Sequence, residues 1–396
     1  MVLKEKLGNV CNILNGYAFK SGEYVEKGIR VIRINNVQKG VIEDFDSKYY
    51  PIEEEQNLKK YLLFENDLLI SLTGNVGRVG LLKKEQLPAA LNQRVGCLRV
   101  KDKKHLSIRY LFQLLNSNIF EFDCINNSKG IAQKNLSTEW LKGYEINIPN
   151  LDEQNKIAEK LEKVQKIVKL KKEQLNEFDN LIKSKFVEMF GSIKDTQYEI
   201  RTLEEIVDKN KKYSLKRGPF GGSLKKDDFV DSGYLVYEQR HAIHNDFEYE
   251  KYYINKEKYN SMDMFRVIPG DLIVSCSGVT LGRIAEIPKK AKEGIINQAL
   301  LKISLDKEIM NNAFFIQQFR SDEIQNCLLG FSRGSGIPNF PSMNEVKKLK
   351  FICPNIKEQL KYENIVQQID KQKVEIQNSL EEMQKLQESL MNKYFG

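Results

Sequence analysis

Two stretches of the chain place hydrophobic residues at alternating steps of four and three. In the first, Ile157, Leu161, Val164, Val168, Leu175, Phe178, Ile182 and Met189 follow one another, with Lys171 and Lys185 filling two gaps. In the second, Tyr362, Val366, Ile369, Ile376, Leu380, Met383, Leu390 and Tyr394 repeat the pattern, interrupted by Lys373 and Gln387. Such steps keep the apolar residues on one stripe of an α-helix and predict a coiled-coil seam. No proline or glycine occurs between Asp152 and Phe190, so the first helix should run unbroken. Its length would be about 58 Å at roughly 1.5 Å per residue.

The rest of the chain reads differently. Val95 to Val100, Leu300 to Leu305, Asp67 to Leu72 and Asp271 to Ser275 are apolar runs of strand length. The last two each lead into a glycine turn, Gly74-Asn75-Val76-Gly77 and Gly278-Val279-Thr280-Leu281-Gly282. Asp67 to Ser71 and Asp271 to Ser275 lie 204 residues apart, one out of step with the other blocks, which recur at a fixed distance. Asn92-Gln93 meets Asn297-Gln298, Glu153-Gln154 meets Glu358-Gln359, Pro149 meets Pro354 and Phe190-Gly191 meets Phe395-Gly396, all 205 residues apart. Leu203 to Ile206 also resembles Leu7 to Val10 in pattern. A period this long is a whole unit copied in tandem, not a solenoid repeat. Each copy is a mixed region followed by a long helix. Two such helices in one chain can bury their stripes against each other. A two-fold-like arrangement favours an antiparallel pair, with the mixed domains at opposite ends of a rod. The alternative is that each tail packs back on its own domain.

Composition narrows the chemistry. The 396 residues include 41% hydrophobic side chains, enough for a folded core, and 62 Lys and Arg against 54 Asp and Glu. A net charge of +8 permits a polyanionic partner without demanding one. No apolar run approaches the roughly 18 residues of a membrane span. The start of the chain, Met1 to Lys6, lacks the apolar core of a secretion signal. Six scattered cysteines form no C-x-x-C pair, so buried free thiols in a reducing cytoplasm are expected. There is no P-loop, no dinucleotide fingerprint, no Asn/Asp-Pro-Pro-aromatic methyltransferase run and no convincing nuclease constellation. His241 and His244 lack a further ligand nearby, and His105 stands alone. A duplicated enzyme should hold its acid–base set in both copies, and this chain does not.

What both mixed regions do hold is basic and amide side chains beside glycine turns. In the first copy these are Lys20, Arg33, Asn35, Arg78, Lys129, Gln133, Lys134 and Asn135. In the second they are Lys216, Arg217, Ser223, Lys225, Lys226, Gln239, Arg240, Arg283, Arg333 and Asn339. Arg and Lys suit phosphates and guanine edges, while Asn and Gln suit adenine edges.

Several blocks carry a family resemblance. Gly130-Ile131-Ala132-Gln133-Lys134-Asn135-Leu136 is followed by Ile146-Asn147-Ile148-Pro149 and then by Asp152-Glu153-Gln154 opening a long helix. Gly218-Pro219-Phe220-Gly221-Gly222-Ser223-Leu224-Lys225 is another block, and the Asp-Leu-apolar-apolar-Ser, glycine turn, Asn-Gln order occurs in both copies. The chain resembles the specificity subunit of type I restriction–modification systems over essentially its whole length. It departs from an even repeat where Pro338-Asn339-Phe340 replaces Gln133-Lys134-Asn135 and where Cys353-Pro354 replaces Ile148-Pro149. The first copy also lacks the Gly-Pro-Phe-Gly block.

The resemblance implies a mixed α/β (α+β) protein with two target recognition domains in tandem, joined by two helices in an antiparallel coiled coil with pseudo-two-fold symmetry. The expected divisions are 1–150, first recognition domain; 151–191, first spacer helix; 192–355, second recognition domain; and 356–396, second spacer helix. It implies a non-catalytic cytoplasmic protein that reads a bipartite site in double-stranded DNA. Two methyltransferase subunits and two motor–nuclease subunits would dock on it, and S-adenosylmethionine, ATP and Mg would bind those partners and not this chain. The competing readings are a coiled-coil scaffold without a DNA role, the specificity subunit of a related two-component restriction–modification system, and a single-chain or two-component restriction–modification enzyme with its chemistry in this chain.

Overall fold

The computed structural model describes residues 3–130, 134–278, 280–330 and 340–396. The fold is mixed α/β, and the chain divides into two compact units, Met1–Glu173 with Gln377–Gly396 and Gln174–Ile376. The division cuts through both long helices, Leu151–Phe190 and Ile356–Phe395.

The first unit is built on a four-stranded antiparallel sheet in the order Cys11–Asn15, Val95–Val100, Leu68–Ser71, Val79–Leu81. Its apolar runs do not alternate because the sheet is covered on both faces. Leu68 and Ile70 face a cluster with Leu111 and Phe120, while Leu69 and Cys97 face another with Ile32 and Ala89. A smaller sheet pairs Ile29–Ile32 parallel to Ala89–Leu91. The outermost strands, Leu3–Lys6 and Glu145–Ile148, pair with each other and lead the chain into the first long helix.

The second unit repeats this plan. Its four-stranded sheet has the order Leu215–Arg217, Leu300–Ile303, Leu272–Ser275, Ile284–Glu286. Tyr234–Tyr237 pairs parallel to Gly294–Ile296 in a second sheet, and Ile200–Thr202 pairs with Lys350–Ile352 before the second long helix. The short helices Leu7–Val10 and Leu203–Ile206 open the two units.

The two long helices pack together. In the second unit Tyr362 Oη donates to Ile182 O at 3.3 Å and Lys373 Nζ pairs with Asp179 at 2.5 Å, so the helices run in opposite directions there. The last turns of the first helix end in this unit's core, where Phe186 and Phe190 meet Phe314 and Tyr362. In the first unit the end of the second helix, Leu390 and Met391, shares a core with Ile157, Leu161 and Val164. Every seam position is buried or half-buried. Val168, Ile369 and Leu380 are buried, and Leu175, Phe178, Val366, Ile376 and Met383 are half-buried.

Four cysteines, Cys11, Cys97, Cys124 and Cys276, are buried, and Cys353 is half-buried. Cys327 departs from the expectation of burial: it is exposed on the short helix Asp322–Gly330, whose buried face is formed by Ile324 and Leu328. Among the described residues no helix is long and apolar enough to cross a membrane.

Candidate nucleic-acid interface

The duplicated sequence blocks resolve into duplicated hydrogen bonds, and most of them build scaffold. Asp67 and Asp271 close the turns before their strands, accepting from Phe64 N at 2.8 Å and Ile268 N at 3.0 Å. Asp67 is also held by a bidentate Arg99, at 2.8 and 2.6 Å. In the second unit Ser304 and Lys211 take that role on Asp271, at 2.6 and 3.3 Å. Asn92 and Asn297 cap their own turns by accepting from Arg94 N and Ala299 N, at 3.2 and 3.0 Å. Ser71 and Ser275 brace the glycine turns, each accepting from the backbone N–H of Arg78 or Arg283 at 3.1 Å.

These braces leave the turns rigid and the arginine side chains at their rims. In the first unit, Lys134 O accepts from Gly74 N at 2.9 Å, and Asn135 exchanges backbone bonds with Lys129 at 2.9 and 2.8 Å. Lys129, Lys134 and Asn135 are thereby brought, exposed, beside the turn that carries Arg78. Arg78 Nη1 reaches Gln38, whose own amide donates to Asn35 O at 2.9 Å. Asn35 is exposed. Arg33 is engaged by Asp46 at 2.8 Å, and Lys20 by Glu23 at 3.1 Å. Gln133 lies outside the described residues.

Asp46, bonded to both Lys48 and Arg33, is drawn down to about 2 from an ordinary value of 3.8. Its carboxylate is favoured by folding, so the contribution is complete above pH 3.8 and is lost as pH falls through about 2. In an NMR titration of the folded protein, Asp46 is expected to titrate near pH 2, and Arg33→Gln should move that midpoint toward 3.8. An unmoved midpoint would mean that Arg33 is not held by this carboxylate.

In the second unit the predicted residues form two groups. Gln239 donates to Ser277 O and Oγ, both at 2.9 Å, which places it at the glycine turn with the exposed Arg283. Arg240, exposed, stands 4.4 Å from the Tyr249 ring and 3.2 Å from Asp246. The second group surrounds the Gly-Pro-Phe-Gly segment. Lys216 and Arg217 lie on the strand leading into it, Ser223 Oγ donates to Phe220 O at 3.0 Å, and Lys225 and Lys226 are exposed beyond. A cavity of about 430 Å³ borders this segment, lined by Leu224, Lys226, Phe229, Val236, Glu238, Tyr252 and Asn297. Arg333 and Asn339 lie outside the described residues. His241 is buried and satisfied within the fold, with Nδ1 against Glu238 N at 2.9 Å and Nε2 against Tyr249 O at 2.9 Å.

Two features escaped the linear reading. Gln38 and Asp46 hold Arg78 and Arg33 across 40 and 13 residues, and no local pattern marks such pairs. The first copy also has a counterpart of the Gly-Pro-Phe-Gly segment. A Cβ at Gly16 would collide with Asn92 O, just as one at Gly218 would collide with Asn297 O. Gly16-Tyr17-Ala18-Phe19 therefore occupies the equivalent place, and the repeated Asn-Gln block was the signal for it.

Comparison with known proteins agrees with the resemblance. Residues 3–179 match the family described as the Type I restriction modification DNA specificity domain. The chain is 29% identical over 178 residues to the type I restriction enzyme MjaVIII specificity subunit of Methanocaldococcus jannaschii, covering 44% of this chain and 42% of that protein. It is 21% identical over 422 residues to the StySPI specificity subunit of Salmonella potsdam, covering 98% and 87% of the two chains. The chain thus spans less than half the length of the archaeal relative. A crystal structure of a type I restriction–modification S subunit from M. genitalium shares the fold, with a TM-score of 0.57 and 16% identity over 100% of this chain and 96% of that one. The resemblance to type I specificity subunits is shown by these matches.

Proposed function

We propose that this chain is the DNA specificity subunit of a type I restriction–modification complex. On this reading, residues 1–150 and 192–355 each read one half of a bipartite, asymmetric site in double-stranded DNA. The helices within 151–191 and 356–396 form an antiparallel coiled coil that sets the gap between the half-sites. Two adenine methyltransferase subunits and two motor–nuclease subunits dock on the chain in the cytoplasm. S-adenosylmethionine, ATP and Mg bind those partners, and this chain does no chemistry itself.

The observation that carries the reading is the repetition of one scaffold with different polar side chains at its rim. The sheets, glycine turns and entry into a long helix recur in both units. Among the described residues the polar side chains beside them differ: Lys129, Lys134 and Asn135 flank the first turn and Gln239 the second, while Arg78 and Arg283 are common to both. Equal scaffolds with unequal donors and acceptors suit two readers of different base sequences.

The test is single-molecule methylome sequencing of the source cell with and without this gene. Adenine methylation at one split motif should disappear on deletion, and its unchanged presence would refute the assignment. In the same assay, four residues inserted after Gln174, an exposed position of the first long helix, should change the gap between the half-sites or abolish methylation. Methylation at the original spacing would show that the helices are not the ruler.

A further inference from the structure

Phe220 is a braced aromatic side chain that the fold leaves in solvent. Phe220 is 63% exposed, although the backbone around it is closely packed. Gly218 N donates to Leu300 O at 2.8 Å, and the missing Cβ lets Gly218 lie against Asn297 O. Pro219 is buried. Gly221 takes φ +63°, a left-handed turn that an L side chain resists, and Ser223 Oγ closes back on Phe220 O. The ring is therefore held outward by a rigid turn.

Cations flank it. The Arg217 guanidinium stands 5.0 Å from the ring centroid, and its buried Nε has no hydrogen-bond partner. Lys225 and Lys226 follow within a few residues, both exposed. The equivalent segment of the first unit differs. There Tyr17 packs on Phe19 at 5.1 Å and on Tyr61 at 5.3 Å, and Phe19 packs on Tyr50 at 5.0 Å. Its aromatic side chains are packed on other rings, and Tyr17 is 36% exposed against 63% for Phe220.

A rigid, exposed apolar side chain with cations beside it matches the means by which proteins open a DNA base step. The side chain enters the stack, and the cations meet the neighbouring phosphates. We propose that Phe220 wedges between two stacked base pairs of the half-site read by the second domain, and that the first domain binds its half-site without such a wedge. This rests on the reading of the chain as a DNA specificity subunit. The opened step should be a flexible pyrimidine–purine step, because these steps unstack at the least cost.

The experiment uses the complex that co-purifies with the full chain. Bound duplexes are first selected from a randomised pool, and 2-aminopurine is then placed at each position of the selected sequence in turn. Apart from the target adenines, which the methyltransferase subunits would flip out themselves, one step in one half-site should brighten several-fold on binding. Phe220→Ala should return it to the brightness of free duplex and weaken binding about tenfold. Phe220→Leu should keep most of the signal, and Tyr17→Ala should leave it unchanged. No brightening outside the target adenines, or brightening there that survives Phe220→Ala, overturns the wedge while leaving the specificity reading intact. So does a Phe220→Ala chain that loses its co-purifying subunits with unstacking unchanged, since the ring would then serve a protein contact. Failure to select any sequence would instead overturn the specificity reading, and the wedge with it.

Discussion

Phe190→Ala is expected to destabilise the second unit by about 3–5 kcal/mol, the range for removing a fully packed phenyl ring. Phe190 sits in the last turn of the first long helix and is 3% exposed. Its ring packs edge-on against Phe314 at 4.8 Å and lies 5.3 Å from Phe186 and 5.8 Å from Tyr362. Those rings belong to a core that also contains Phe315, Phe351 and Leu301, so the cavity left by alanine has no mobile side chain to fill it. The repeat counterpart, Phe395, is half-buried and, among the described residues, meets one aromatic ring, Tyr110, at 5.5 Å. Phe395→Ala should therefore cost the first unit about half as much. Denaturant unfolding of the two variants measures the difference. Equal losses would mean that the helix ends are anchored alike, contrary to the packing.

Gln359→Ala should cost about 3 kcal/mol or more, through polar groups instead of volume. Gln359 is fully buried at the start of the second long helix. It accepts from Asn311 N at 2.8 Å and donates to Ile309 O at 2.9 Å and Pro354 O at 2.8 Å. Gln154 repeats this set, accepting from Ser107 N at 2.8 Å and donating to His105 O at 2.9 Å and Pro149 O at 2.8 Å. Each glutamine ties a long helix to the loop before a shorter one, and truncation orphans three backbone groups away from water. For a unit of this size the loss corresponds to a fall in melting temperature of roughly 6–12 °C. Gln359→Glu is expected to be no better than alanine, because it sets a carboxylate oxygen against two carbonyls. Thermal unfolding checks both variants, and a loss below about 1 kcal/mol would show that the clamp does not hold the helix.

The blocks that carried the family resemblance have proved to be mostly such clamps and turns. Glu-Gln at the helix start, Asn-Gln after Ala89–Leu91 and Gly294–Ile296, and Asp-Leu entering Leu68–Ser71 and Leu272–Ser275 recur because the backbone around them needs the same bonds twice. They mark the scaffold well and say little about what is read. The residues that differ between the copies lie at the rims of the glycine turns.

The two long helices and the central strands could be read from the chain alone because their signals are local. A stripe repeating every three or four residues, or an apolar run between polar ends, appears within one window of sequence. The duplication was equally legible, since matching blocks need only be counted. Which cations remain available to a partner was not. Arg33 and Arg99 are spoken for by Asp46 and Asp67, and Arg78 is held by Gln38, while Arg283 is exposed at the rim of its turn. The same residue type thus serves as a brace in one place and faces solvent in another. Only the tertiary structure decided between them, because a guanidinium's partner is set by what the fold brings within about 3 Å, and that distance carries no trace in sequence separation.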